Sequence, residues 1–126
     1  MMREIMISSD CLDFIERQDK RVSLKFFQII EVMTEVKVVH STFVKKLINT
    51  SFYELRIKSG NEIRIILFTV DHPNFIESSK IICLNGFVKK SNNDYKKAIK
   101  IAEKLIKNYL KKTENHDTIH KRKRNT

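Results

Sequence analysis

The feature that most constrains the fold is a segment in which apolar and charged side chains alternate with a period of two. The apolar set is Tyr53, Leu55 and Ile57, continued after a short break by Ile63, Ile65 and Leu67. Successive side chains of a β-strand point to opposite faces of a sheet, so each half is typical of a strand with one apolar face. Because Ser59, Gly60 and Asn61 separate the halves, the segment predicts a β-hairpin.

Helical spacing appears on both sides of this hairpin. An apolar stripe over 20–37 predicts one helix, and a shorter helix over roughly 10–18 precedes it, with Ser8, Ser9 and Asp10 offering cap oxygens. A second stripe from Tyr95 to Leu110, with lysines on its other side, predicts a C-terminal helix. Residues 4–7 and 80–85 read as further strands, the latter ended by Gly86, and the chain around 44–47 is expected to be irregular.

The positive charge is concentrated in the last third of the chain. The 126 residues carry a formal charge of +10, of which residues 1–86 contribute +1 and residues 87–126 contribute +9. This asymmetry is expected of a protein that presents one face to a polyanion. We expect a single domain over 1–112 and a basic flexible tail over 113–126, where the apolar stripe has ended.

Several classes of protein are disfavoured. The chain has no signal-peptide pattern and no apolar run of roughly 18 residues, so we expect a cytoplasmic protein without a membrane partner. Cys11 and Cys83 are interpreted as reduced, buried thiols. His116 and His120 would share one side of a helix, but two ligands in a tail do not predict a metal site, and we expect neither metal nor cofactor.

The three-residue turn fixes which hairpin residues oppose each other. The apolar sets face the same side only if Lys58 opposes Glu62 and Arg56 opposes Arg64. Directly opposed arginines repel by up to about 1 kcal/mol, so such a pair is usually avoided unless an anion lies between. The side chains could splay into solvent beside Glu54, or Arg56, Arg64 and Lys58 could form a concave phosphate-binding face. If the two arginines diverge to opposite sides of the sheet, or are buried against carboxylates, only a basic binding domain remains.

Three strings in this order resemble a known family. They are FYELRIK at 52–58, IRI at 63–65 and NGFVKK at 85–90, followed by the lysine-rich helix. The chain resembles the RelE/ParE superfamily of type II toxin–antitoxin toxins, especially its HigB-like, phage-derived branch, over roughly residues 5–110. The resemblance implies a RelE-like α+β fold in which two N-terminal helices pack on a small, largely antiparallel sheet with a C-terminal helix.

The resemblance also implies an activity. Members of the family are ribosome-dependent mRNA endoribonucleases that cut without metal, by attack of the ribose 2′-hydroxyl on the adjacent phosphate. The expected partners are mRNA on the ribosome and a cognate antitoxin, usually encoded adjacently. Two alternatives stay open: a ParE-like inhibitor of DNA gyrase, and an inactive phage-derived relative that only binds its partner.

Site residues carried over by position form a catalytic and an RNA-binding set. Arg64 resembles the family's hairpin arginine at the scissile phosphate, Arg56 and Lys58 its basic strand residues, and Lys89 with Lys90 its basic pair after the last strand. The RNA-binding set is Lys45, Lys46, Tyr95, Lys96 and Lys97.

The chemistry of the catalytic set leads to two expectations. A lysine crowded by two arginines loses its proton more readily, so Lys58 is the most plausible proton acceptor. Tyr95 is close to the place of a catalytic aromatic, although its helical spacing makes it a core residue by default. Arg64→Ala is expected to abolish cleavage and leave the fold intact.

Overall fold

The computed structural model describes the backbone of residues 2–124 and the side chains of residues 2–112. Its elements follow in the order β1 (Glu4–Ile7), α1 (Ser9–Glu16), α2 (Lys20–Glu35), β2 (Val44–Lys46), β3 (Phe52–Ser59), β4 (Asn61–Thr69), β5 (Lys80–Val88) and α3 (Asn92–Arg124). The strands form one sheet in the order β1-β5-β4-β3-β2. Only the β1–β5 pair is parallel, so the expected α+β fold with a largely antiparallel sheet is confirmed.

The hairpin register is the one predicted from parity. Arg56 is paired with Arg64, and Lys58 with Glu62. Gly60 is at the tip of the turn with φ 75°, a conformation that a residue without a Cβ adopts at little cost. The register therefore puts both arginines on the same face of the sheet.

Helices cover both faces of the sheet. One core lies under α1 and α2 and contains Phe26 and Met33 with the inward residues of the hairpin. The other lies under α3 and contains Ile66, Leu84 and Ala102. The charged face of the hairpin is therefore the face that α3 covers.

Side-chain caps define the ends of the first two helices. The Ser8 hydroxyl accepts a hydrogen bond from the Cys11 N–H at 3.0 Å, and an Asp19 carboxylate oxygen accepts one from the Arg21 N–H at 2.9 Å. The C-terminal end of α2 is held by Arg3, whose guanidinium donates to the carbonyls of Met33 and Val36. Such groups satisfy the free N–H and C=O groups that every helix end leaves.

Two strand expectations were wrong. Val44–Lys46 is a short edge strand paired with β3 and not irregular chain. Gly86 does not end β5, which continues to Val88. A Cβ at Gly86 would lie 2.4 Å from the Phe14 ring, so this glycine permits the close approach of α1.

The α3 backbone continues well past Lys112, through the segment expected to be a tail, as far as Arg124. Glycine and proline, the two strongest helix breakers, do not occur between Asn92 and Arg124. The mobility predicted for 113–126 stays a prediction.

The two cysteines are buried and reduced, as predicted. They come from α1 and β5, and a hydrogen bond from Cys11 together with burial raises the pKa of the Cys83 thiol. Within the described part of the chain, no helix is both long and apolar enough to span a bilayer.

Candidate functional site

Arg64 is the most deeply buried charged residue of the hairpin. Only 2% of it is exposed, although it carries a full positive charge. Its Nε donates to the Tyr95 hydroxyl at 3.0 Å, one terminal nitrogen donates to the Ile63 carbonyl at 3.1 Å, and the other to Glu62 Oε1 at 3.4 Å. These contacts tie the centre of the sheet to the first turn of α3.

Glu54 supplies the anion between the two arginines. Its Oε1 is 3.4 Å from Arg56 Nε and 3.8 Å from Arg64 Nε. The residue is 4% exposed. Among the side chains that the structure describes, Glu54 Oε2 and Asn85 Oδ1 are the buried oxygens without a hydrogen-bond partner. The repulsion expected between the directly opposed Arg56 and Arg64 is thus offset by the carboxylate of Glu54.

The expected open phosphate-binding face is therefore wrong for this state. Arg64 is buried against Glu54 and Glu62, so the condition that counted against that interpretation is met for one of the two arginines. Arg56 keeps 34% of its side chain exposed, and Lys58 is exposed opposite Glu62. Since both arginines are paired with carboxylates, the crowding by positive charge that favoured Lys58 as proton acceptor is absent.

Tyr95 belongs to this cluster and is not only a core residue. It is half-buried, and its ring packs edge-to-face on Phe87 with centroids 5.1 Å apart. Burial, aided by contact with Glu54, raises the pKa of the Tyr95 phenol, and the adjacent Arg64 opposes this only in part. The phenol therefore stays protonated at neutral pH and can donate a hydrogen bond.

The basic residues after β5 divide into two groups. Lys89 joins the cluster, because its Nζ lies 5.9 Å from the Tyr95 ring centroid and its backbone N–H donates to the Glu62 carbonyl at 2.8 Å. Lys90 is exposed, and its backbone N–H donates to Asp94 at 2.8 Å at the start of α3. Lys96 and Lys97 lie exposed on the first turns of α3.

Two cavities flank the cluster. The larger, about 760 Å³, lies between α2 and the hairpin and is lined by Lys25, Arg56, Lys58 and Arg64 among others. The smaller, about 590 Å³, is lined by Lys45, Lys46, Glu54 and Tyr95 among others, so it unites three of the five predicted RNA contacts. Residues of the cluster thus line both cavities.

The histidines whose side chains are described take no part in this cluster. His40 and His72 accept hydrogen bonds from neighbouring backbone N–H groups at 3.0 Å, as local turn contacts. His116, His120 and the basic stretch at 121–124 lie outside the residues whose side chains are described. Over the described side chains, no group of three or more His, Cys, Asp or Glu residues could hold a metal ion.

Sequence reasoning missed the central role of Glu54. Parity places Glu54 on the same face as Arg56 and Arg64, and that was the available signal. The alternation of side chains in the hairpin does not show where α3 packs. In the structure α3 excludes water from this face, so the Glu54 carboxylate becomes the main partner of the two arginines. A charge pattern shows which side chains share a face but not which of them solvent will screen.

Comparisons with known proteins agree with this architecture. A family model described as "Phage derived protein Gp49-like (DUF891)" matches residues 13–107, which is more than half of the chain. Among solved structures, the free-state structure of the E. coli toxin RelE carrying two arginine-to-alanine substitutions is similar, with a TM-score of 0.55 and 14% sequence identity. The similarity covers 79% of this chain and 97% of that chain, and at this identity it shows the fold alone. No curated protein matches the chain. The chain therefore belongs to the phage derived Gp49-like family and has the fold of the RelE-superfamily toxins.

Proposed function

We propose that this protein is the toxin of a type II toxin–antitoxin system and acts in the cytoplasm as a ribosome-dependent mRNA endoribonuclease. The single observation that carries the proposal is the gathering of Arg56, Arg64, Tyr95 and Lys89 around one point of the sheet. Arg56, Arg64 and Lys89 are at positions to which the family resemblance assigns phosphate binding and the basic pair, and Tyr95 is close to the place of its catalytic aromatic.

The cluster offers what metal-free cleavage of RNA requires. Attack by the 2′-hydroxyl builds negative charge on a pentacoordinate phosphorus, which guanidinium and ammonium groups stabilise. The neutral Tyr95 phenol can donate a hydrogen bond to a phosphate or leaving oxygen. The larger cavity gives a phosphate access to Arg56 and Lys58 from solvent.

The described state is closed to a phosphate at Arg64. Because that guanidinium is 2% exposed and faces two carboxylates, cleavage requires a rearrangement that releases it from Glu54. This requirement is a specific reason to keep one alternative: a relative that binds RNA through its exposed cations and does not cut. The gyrase-inhibitor alternative has no such supporting observation.

Translation in vitro of a defined message tests the proposal. Fragments at fixed codon positions that need ribosomes support it. Arg56→Ala, on a partly exposed cation, should lower the cleavage rate by about 10²-fold or more. Lys100→Ala, on the exposed side of α3, serves as the matched control.

The remaining outcomes separate the alternatives. Gyrase-dependent breaks in plasmid DNA would replace the proposal with the gyrase inhibitor. RNA binding with no cleavage, in the presence of ribosomes, would leave the inactive relative. A search of the adjacent reading frame for a small protein with a helix-turn-helix tests the antitoxin partner.

A further inference from the structure

We infer that Arg56 and Arg64 form an anion-binding site whose internal occupant is Glu54, and that Glu54 limits the affinity of the site for a phosphodiester. The inference rests on the proposed function for the identity of the external anion. It adds a residue that sets how strongly the site holds RNA.

The hairpin register requires an anion between the two arginines. Arg56 and Arg64 are directly opposed across β3 and β4, where side chains of like charge repel. A single oxygen, Glu54 Oε1, lies between their Nε atoms at 3.4 and 3.8 Å. This is the place that one oxygen of a phosphate would take between two guanidinium groups.

Glu54 uses only one of its two carboxylate oxygens in these ion pairs. Its second oxygen is buried and has no hydrogen-bond partner among the described residues. A buried carboxylate oxygen without a partner has lost its hydration and gained no hydrogen bond in return. A phosphate offers more oxygens than one carboxylate oxygen to the same guanidinium donors.

The surroundings allow exchange between the two anions. Arg56 and Arg64 line the larger cavity together with Lys25 and Lys58, which attract an incoming phosphate. Glu54 lines the smaller cavity on its other side, beside Lys45 and Lys46. A carboxylate displaced from the arginines therefore has space, and cations, to receive it.

The test compares Glu54→Gln with Glu62→Gln. Both substitutions remove one carboxylate that contacts Arg64, but Glu62 has 45% of its side chain exposed and is screened by solvent. Two probes are used: inorganic phosphate followed by NMR of the arginine Nε–H signals, and a short fluorescein-labelled single-stranded RNA followed by anisotropy over a range of salt.

Glu54→Gln should bind both probes about tenfold more tightly, as expected for one added charge-assisted contact. Its affinity for RNA should also fall more steeply with salt, by about one unit of log–log slope. Glu62→Gln should change either affinity by less than about threefold. Equal effects of the two variants, or no gain for Glu54→Gln, would overturn the inference.

A measurement on the unaltered protein covers the case in which Glu54→Gln does not fold. Phosphate added to the native protein should shift the Arg56 and Arg64 Nε–H signals with one binding curve, because the same Glu54 oxygen contacts both and its displacement frees both. If phosphate shifts the Arg56 signal and leaves the Arg64 signal unchanged at every concentration, it does not replace Glu54 and the inference fails.

Parallel cleavage assays on ribosomes separate this inference from the proposed function. If no variant cleaves but Glu54→Gln binds phosphate more tightly, the endoribonuclease proposal fails and the inference stands. If the native protein cleaves and Glu54→Gln is inactive with unchanged phosphate affinity, Glu54 acts as the general base and the inference is wrong.

Discussion

Two arginines of this protein are buried to nearly the same extent but held in different ways. Arg3 is 3% exposed and Arg64 is 2% exposed. Arg3 donates only to backbone carbonyls, among them those of Ser78 at 3.0 Å and Met33 at 2.9 Å, and stacks on the Phe75 ring at 4.3 Å. Arg64 is held by two carboxylates and a phenol.

This difference in hydrogen-bond partners indicates that Arg3 has a structural role, whereas Arg64 is a candidate functional residue. Carbonyl oxygens belong to the backbone of α2 and of the 71–80 loop, so they cannot titrate or swing away without loss of the fold. Burial lowers the pKa of Arg3, but the five donated hydrogen bonds keep the charge satisfied. Side-chain carboxylates can be displaced or exchanged for another anion, so the partners of Arg64, unlike those of Arg3, can give way to an anionic ligand.

The largest effect is expected at Arg64. Arg64→Ala leaves Glu54 buried with Arg56 as its remaining ion-pair partner, and removing one member of a buried charge cluster costs up to about 3–5 kcal/mol. Urea unfolding followed by circular dichroism measures the loss. The earlier expectation that this variant leaves the fold intact is therefore replaced, and loss of cleavage in Arg64→Ala would not by itself identify a catalytic role.

A double-mutant cycle provides the control for that prediction. In the Glu54→Gln background the Arg64→Ala substitution should cost about 1–2 kcal/mol less, because no buried carboxylate then loses one of its two cations. Additive losses would show that Arg64 stabilises the protein through packing and the Tyr95 contact alone.

A smaller loss is expected at Arg3. Arg3→Ala removes donors from buried carbonyls at the end of α2, at about 2–3 kcal/mol for the groups that water does not reach. The same urea experiment measures it, with Arg21→Ala as control, since 75% of that side chain is exposed. Added salt should leave the Arg3 loss unchanged. A strong dependence on salt would mean that Arg3 has a charged partner, and the contrast with Arg64 would disappear.

The contribution to stability of the loop that supports Arg3 is expected to depend on pH. Burial raises the pKa of Asp71, but hydrogen bonds from Ser78, Ser79 and Lys80 outweigh it and hold the pKa well below its usual range. A carboxyl with a lowered folded pKa contributes stability that is complete above its unfolded value, about 3.9, and is lost as pH falls below it.

Thermal unfolding between pH 5 and pH 2.5 measures this effect. Asp71→Asn should be less stable than the native protein at pH 5, and the difference should shrink as the pH falls. If the two melting curves stay parallel over that range, the Asp71 contacts do not contribute through its charge.

The sequence predicted the hairpin well and the site only in part. Period-two alternation and a three-residue turn decide the register, so the pairing of Arg56 with Arg64 followed from local pattern alone. Which face α3 covers is a tertiary property, and that decides whether a charge at Arg64 meets water, RNA or Glu54. The sequence did not predict the burial of Arg3, because its partners are backbone carbonyls, and every residue has one.

The smallest effect concerns the Tyr95 phenol, and it tests the Arg64 end without perturbing the fold. Because burial and Glu54 raise its pKa, Tyr95 should ionise above the usual range of a tyrosine in an alkaline absorbance titration. A raised folded pKa means that this contribution to stability is complete below the unfolded value of about 10 and is lost as pH rises above it.

Three variants test the assignment of this ionisation step. Tyr95→Phe should remove the step from the titration and so identifies it. Glu54→Gln should move the step to lower pH, because the carboxylate that disfavours the phenolate is gone, whereas Glu62→Gln should move it less. If the step that Tyr95→Phe removes lies within the usual range of a tyrosine, Glu54 does not face the phenol closely in solution, and the cluster on which the proposed site depends is not formed.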